Sequence, residues 1–122
     1  MNTHINLKQV NLTQSRELSR ICLHKNENEL QCMLIRMPEN FCYDFISDDL
    51  DGEITFVVAQ GQLFVDLLGK NGKVEHFKLE PGDALFTKRR VFRKTWTKEE
   101  ACLYYENLTG GFNPSRRIKM NG

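Results

Sequence analysis

Between Glu53 and Phe86 the chain reads EITFVVAQGQLFVDLLGKNGKVEHFKLEPGDALF, short runs of alternating apolar and polar residues cut apart by turn signals. Few folds accept such a stretch. Alternation with period two puts neighbouring side chains on opposite faces of a strand, whereas a helix needs apolar spacing of three and four. Ile54, Phe56 and Val58 share one face of the first run. Leu63, Val65 and Leu67 share one face of the second, with Asp66 opposite, and Phe77 and Leu79 oppose His76 and Lys78 in the third. The turns have the chemistry that hairpins require. Gly61 supplies positive φ, Asn71-Gly72 is a strong hairpin signal, and Pro81-Gly82-Asp83 begins with a residue whose φ is preset.

Further strand candidates surround this block, at residues 18–23, 29–37, 41–46, 84–87, 92–97 and 101–106. Many short strands with turns between them are the mark of an all-β sandwich or barrel. The sequence predicts a polar N-terminal extension over 1–16, one β-domain over 17–115, and a basic tail over 116–122 outside the strand pattern. Only residues 7–18 offer helical spacing, weakly. A chain of 122 residues can bury a workable core, and a domain of that size gains from dimerisation, so a homodimer is expected. No apolar run approaches the roughly 18 residues of a membrane span and no signal pattern opens the chain, which gives a cytoplasmic expectation without membrane partners. Cys22, Cys32, Cys42 and Cys102 lack C-x-x-C spacing and sit in apolar runs, so buried reduced thiols are expected, with a zinc site or a disulfide as the alternative.

Charge is unevenly spread. Residues 1–87 carry 8 Lys/Arg against 13 Asp/Glu, and residues 88–122 carry 9 against 3. The sharpest feature is the run from Lys88 through Arg89, Arg90 and Arg93 to Lys94. Guanidinium forks match phosphate and carboxylate, which makes Arg89, Arg90 and Arg93 a candidate anion clamp; the alternative is a solvated loop. Phe92 and Trp96 interleave with these cations as a nucleic-acid platform would require, but near-neutral total charge and the lack of any nucleic-acid-binding signature argue against that partner. The acidic loop 48–53 lacks the ligand spacing of a calcium loop. Cys102, Tyr104 and Glu106 share one face of the last strand. Inward, Tyr104 and Glu106 form a polar pair suited to acid/base work or to sugar hydroxyls; outward, Leu103 and Tyr105 fill the core instead.

Three further matches carry a resemblance. His24 precedes the run 30–35 (LQCMLI), the block from Gly61 to Gly82 forms a central hairpin, and Glu106 precedes Gly110-Gly111-Phe112-Asn113-Pro114. In this order and spacing they resemble the cupin superfamily, and more narrowly the WbuC-type cupins found with bacterial surface-polysaccharide genes, over residues 16–115. The resemblance implies a jelly-roll (double-stranded β-helix) barrel. It also implies where a metal would sit, on His-x-His, a Glu and a late His. Counted from Met33, those positions fall on Ile46, Asp48 and Glu53; counted back from Gly61, the Glu position falls on Ile54 instead, which implies a bulge or an insertion. The late His position falls on Arg93, or on Phe92 with a one-residue shift. Isoleucine has no donor atom and a protonated guanidinium has no lone pair, so no metal and no other cofactor is expected.

A small polar or anionic ligand, perceived as a sugar or nucleotide-sugar through the polysaccharide resemblance, is the leading expectation. A metal-independent sugar isomerase or epimerase using Tyr104, Glu106 and His24 is the enzymatic alternative. A non-catalytic dimeric interaction module is the third.

Overall fold

The computed structural model describes residues 18–25, 30–111 and 113–120. Ten strands occur among them: β1 (Ser19–Lys25), β2 (Gln31–Met37), β3 (Cys42–Asp48), β4 (Glu53–Gln60), β5 (Leu63–Leu68), β6 (Val74–Leu79), β7 (Ala84–Lys88), β8 (Arg93–Trp96), β9 (Cys102–Leu108) and β10 (Arg117–Lys119). They form two antiparallel five-stranded sheets, in the orders β1-β2-β9-β4-β7 and β10-β3-β8-β5-β6, the jelly-roll arrangement that the cupin resemblance implies. The 1–16 extension and most of the weak helical spacing at 7–18 lie outside the described residues.

Alternation decides the core. Ile54, Phe56 and Val58 of β4 are buried, and they pack in one cluster with Leu63, Val65 and Leu79 of the other sheet. Each such side chain contributes on the order of 1.5–3 kcal/mol by leaving water. The opposite face of β5 is covered differently. Phe64 stacks on Trp96 at 4.5 Å between ring centroids, and Asp66 accepts a hydrogen bond from Trp96 Nε1 at 3.2 Å and lies 2.7 Å from His76 Nδ1. The His76 side chain is otherwise solvent-facing, as its alternation with Phe77 predicts.

The Asn71-Gly72 hairpin forms as read, with Gly72 at φ 79° and Gly69 N donating to Lys73 O at 2.9 Å. Gly61 is required twice over. It takes φ 77°, and a Cβ there would collide with the Ala101 carbonyl where β9 approaches.

Two expectations are corrected. Residues 117–119 are not a tail outside the strand pattern: as β10 they pair with β3, Arg117 opposite Asp48. The cysteines are not uniformly buried, because Cys22 and Cys42 are exposed, Cys32 is partly covered and only Cys102 is buried. Cys22 lies on β1, the edge strand of its sheet among the described residues.

Candidate functional site

The site grows out of a defect in one strand pairing. Tyr43 pairs with Thr95 and Ile46 with Arg93, so three steps along β3 match two along β8. Such a bulge re-aims side chains. Tyr43 and Ile46, an odd number of residues apart, therefore both line a cavity between the sheets. Arg93 and Thr95 of β8, Tyr104 and Glu106 of β9, Met33 and Ile35 of β2, Arg20 of β1 and Arg117 of β10 complete most of its wall.

Beside it lies a buried ion network. Asp48 is 2% exposed, and its Oδ2 accepts from Arg89 Nε at 3.1 Å and from Arg93 Nη2 at 3.0 Å. Arg117 Nε stands 3.5 Å from Oδ1, and Arg117 Nη1 donates to the Tyr43 hydroxyl at 3.4 Å. Arg89 is itself buried and also donates to the carbonyls of Thr109 and Gly111, tying the loop after β9 to the network. Burial alone would raise the Asp48 pKa, but Arg93 and Arg89 together outweigh it and hold this carboxyl below the usual range.

Glu106 has the opposite balance. Burial raises its pKa, the charges of Arg93, Arg20 and Arg117 offset this only in part, and Asp48 adds to the rise. Burial, followed by the Glu106 carboxylate, keeps the Tyr104 hydroxyl well above its ordinary pKa. For Tyr43, burial is outweighed by Arg20 and Arg117, and its pKa is lowered. Arg20 also lies over the Tyr43 ring, 5.6 Å from its centroid. Among the described residues, four guanidinium groups (Arg20, Arg89, Arg93 and Arg117) thus gather around two carboxyls (Asp48 and Glu106). The local balance is positive.

The cavity is small, about 30 Å³ of space open to a water centre. One water needs roughly 10–15 Å³ of such space, so about two fit. A wider groove of about 740 Å³ runs beside the 69–72 hairpin, but its ionisable lining residues, Lys70, Lys73 and Glu75, are all exposed. The smaller cavity is where charge has been taken out of water, and there electrostatic recognition is strongest.

The structure brings together Ile46, Asp48, Arg93, Tyr104 and Glu106. Cys102, Tyr104 and Glu106 take the inward face of β9, which settles the alternative left open by alternation. Arg89 is interior and engaged with Asp48, whereas Arg90 is exposed and pairs with Asp49 at 2.6 Å and Asp51 at 3.1 Å. The three arginines therefore do not form one rim. His24 is exposed near the end of β1, opposite Cys32, and is not among the cavity-lining residues. Trp96 is held by Phe64, Asp66 and Lys98 rather than standing free beside Phe92. Arg20, Tyr43 and Arg117 are among the lining residues that alternation and motif spacing did not single out.

The metal positions implied by the cupin resemblance can be tested on these side chains. Ile46 and Arg93 are cross-strand partners and Asp48 bonds Arg93, so the aligned positions do converge. Glu53 does not join them: it points to the outer face of β4 and pairs with Lys88 at 2.8 Å, while Ile54 is buried inward. A bulge between Val58 and Gln60 lies in the interval over which the two sequence counts disagree by one residue. Among the described residues no three of His, Cys, Asp and Glu come together. One carboxylate already held by two guanidinium groups does not fit a resident divalent ion.

No family model matches the sequence, and no curated protein matches it. Solved structures do share the fold. The cupin domain of Cnp3 from Schizosaccharomyces pombe superposes with a TM-score of 0.71 at 19% identity, over 87% of this chain and 72% of that one. KdgF from Halomonas sp. gives 0.74 at 14% identity, over 94% and 99%. An RmlC-like cupin protein from Desulfovibrio desulfuricans gives 0.68 at 14% identity, over 92% and 99%. At these identities the likeness establishes the fold, which is that of the cupins.

Proposed function

We propose that this cupin-fold chain is a metal-independent binding protein for a small anion, taken up in the cavity between the two sheets. The observation that carries the reading is the convergence of Arg20, Arg93 and Arg117 on a cavity whose own carboxyl is Glu106. A guanidinium cannot shed its charge, and in a partly dry cavity an excess of them favours an anion. The cavity dimensions favour a carboxylate or an inorganic oxyanion over a whole nucleotide-sugar. A phosphorylated sugar would engage through its anionic end, which keeps the surface-polysaccharide role implied by the WbuC-type resemblance within the proposal. Cytoplasmic location and homodimerisation belong to it as well, the latter checked by light scattering.

The test is an amide-resonance titration of the labelled protein with formate, acetate, sulfate and phosphate. Saturable shifts confined to residues around Tyr43, Arg93 and Glu106 are expected, lost in Arg93→Met and kept in Arg90→Met. Absence of saturable binding, or shifts centred on Arg90, would sink the reading. A second reading, metal-independent acid/base catalysis such as sugar isomerisation or epimerisation, is favoured by Tyr104 and Glu106 lining one cavity. His24, exposed on β1, has no place in it.

A further inference from the structure

We infer that Glu106 is the resident counter-ion of the cavity, and that an entering anion takes over that role and brings one proton with it. The inference rests on the anion-binding reading above and adds which form of the ligand the site accepts. Every packed element contributes to the environment of Glu106. Arg20 faces it from β1, Asp48 and Tyr43 from β3, Arg93 and Thr95 from β8, Arg117 from β10, and Tyr104 from its own strand. From β2 and β4 come only Met33, Ile35 and Phe56, which carry no charge.

An anion held by Arg20, Arg93 and Arg117 shares a cavity of two waters' size with the Glu106 carboxyl. Two carboxylates at such range raise each other's pKa, and the one less firmly paired with a guanidinium is the first to take a proton. Of the two resident carboxyls, Asp48 is held ionised by its hydrogen bonds to Arg89 and Arg93. Glu106 is therefore the acceptor. Protonated, it changes from a repelling acceptor into an O–H donor facing the ligand. Burial already raises its pKa, which makes it the resident carboxyl nearer to taking a proton. The balance is closed: the cavity gains one anion and one proton, so it takes up the equivalent of a small weak acid.

The test is calorimetry with formate, which stays ionised between about pH 5.5 and about pH 8 as a carboxylate should. Repeating the titration in two buffers of different ionisation enthalpy measures proton uptake on the wild-type protein, without any variant. Near one proton per formate is expected, with affinity falling by up to about tenfold per pH unit between the Glu106 pKa values of the free and liganded protein. Glu106→Gln should bind formate with little pH dependence and more tightly than wild type at about pH 8. Formate binding with no proton uptake overturns this inference alone. No formate binding by wild type or Glu106→Gln at any pH overturns the anion-binding reading with it.

Discussion

Replacing Asp48 with Asn should be among the most damaging conservative changes available to this chain. The side chain keeps its shape but loses its charge, in a place where Arg89 Nε and Arg93 Nη2 lie 3.1 Å and 3.0 Å from one oxygen. The three side chains are 1%, 4% and 2% exposed for Arg89, Arg93 and Asp48, so water does not replace the lost partner. Breaking a buried pair by removing one member costs about 3–5 kcal/mol, against about 5–15 kcal/mol for the total stability of a typical domain. At about 3–5 °C per kcal/mol for a domain of this size, the melting temperature should fall by about 9–25 °C. Glu53→Gln is the control, since Glu53 and Lys88 are 40% and 66% exposed and such pairs contribute about 0–1 kcal/mol. Urea unfolding of wild type and both variants at neutral pH supplies the numbers. Acid supplies a second readout. The folded-state pKa of Asp48 is depressed, so its contribution is present above the unfolded carboxyl value of 3.8 and is lost as pH falls through the lower folded value. The gap between wild type and Asp48→Asn should narrow there. A Asp48→Asn variant within about 1 kcal/mol of wild type at neutral pH would refute the claim that the network is sealed from solvent.

Three further outcomes follow from the same geometry. Glu106 has a raised folded pKa, so its ionisation costs stability once pH rises above the unfolded value of 4.5 and through the folded one; Glu106→Gln should therefore melt higher than wild type near neutral pH and show no gain below that value. A thiol reagent should label exposed Cys22 and Cys42 in the native protein, whereas Cys102, 1% exposed and with its pKa pushed up to about 12, should react only on unfolding. Adding manganese, zinc or ferrous iron to chelator-treated protein should leave the melting temperature unchanged, and a saturable rise of several degrees would contradict the misfit at Ile46, Asp48 and Arg93.

The strands were legible because period-two alternation survives wherever one face is buried. Ile54, Phe56 and Val58 declare an inward face without ambiguity, and Asn71-Gly72 announces its hairpin. The cavity was legible only in part. Ile46, Asp48 and Arg93 converge as the cupin resemblance implies, and Tyr104 and Glu106 share a face by alternation, although their own strand could not say which face was inward. What alternation cannot show is a bulge. The extra residue between Tyr43 and Ile46 brings both inward. Arg117 escaped notice for another reason. It belongs to a three-residue strand whose place is fixed by pairing with β3 and by the charge of Asp48, neither of which leaves a local pattern. The basic run, in turn, looked like one clamp because its residues are neighbours in sequence, yet the chain reverses there and sends Arg89 and Arg93 inward and Arg90 outward.

The central claim is that the cavity is an anion site held by guanidinium groups. Crystals soaked in bromide and measured at its absorption edge test this most directly. An anomalous peak is expected inside the cavity, in contact with Arg20, Arg93 and Arg117 and weakened in Arg93→Met. A cavity without a peak, while bromide collects on exposed cations such as Arg90, would contradict it.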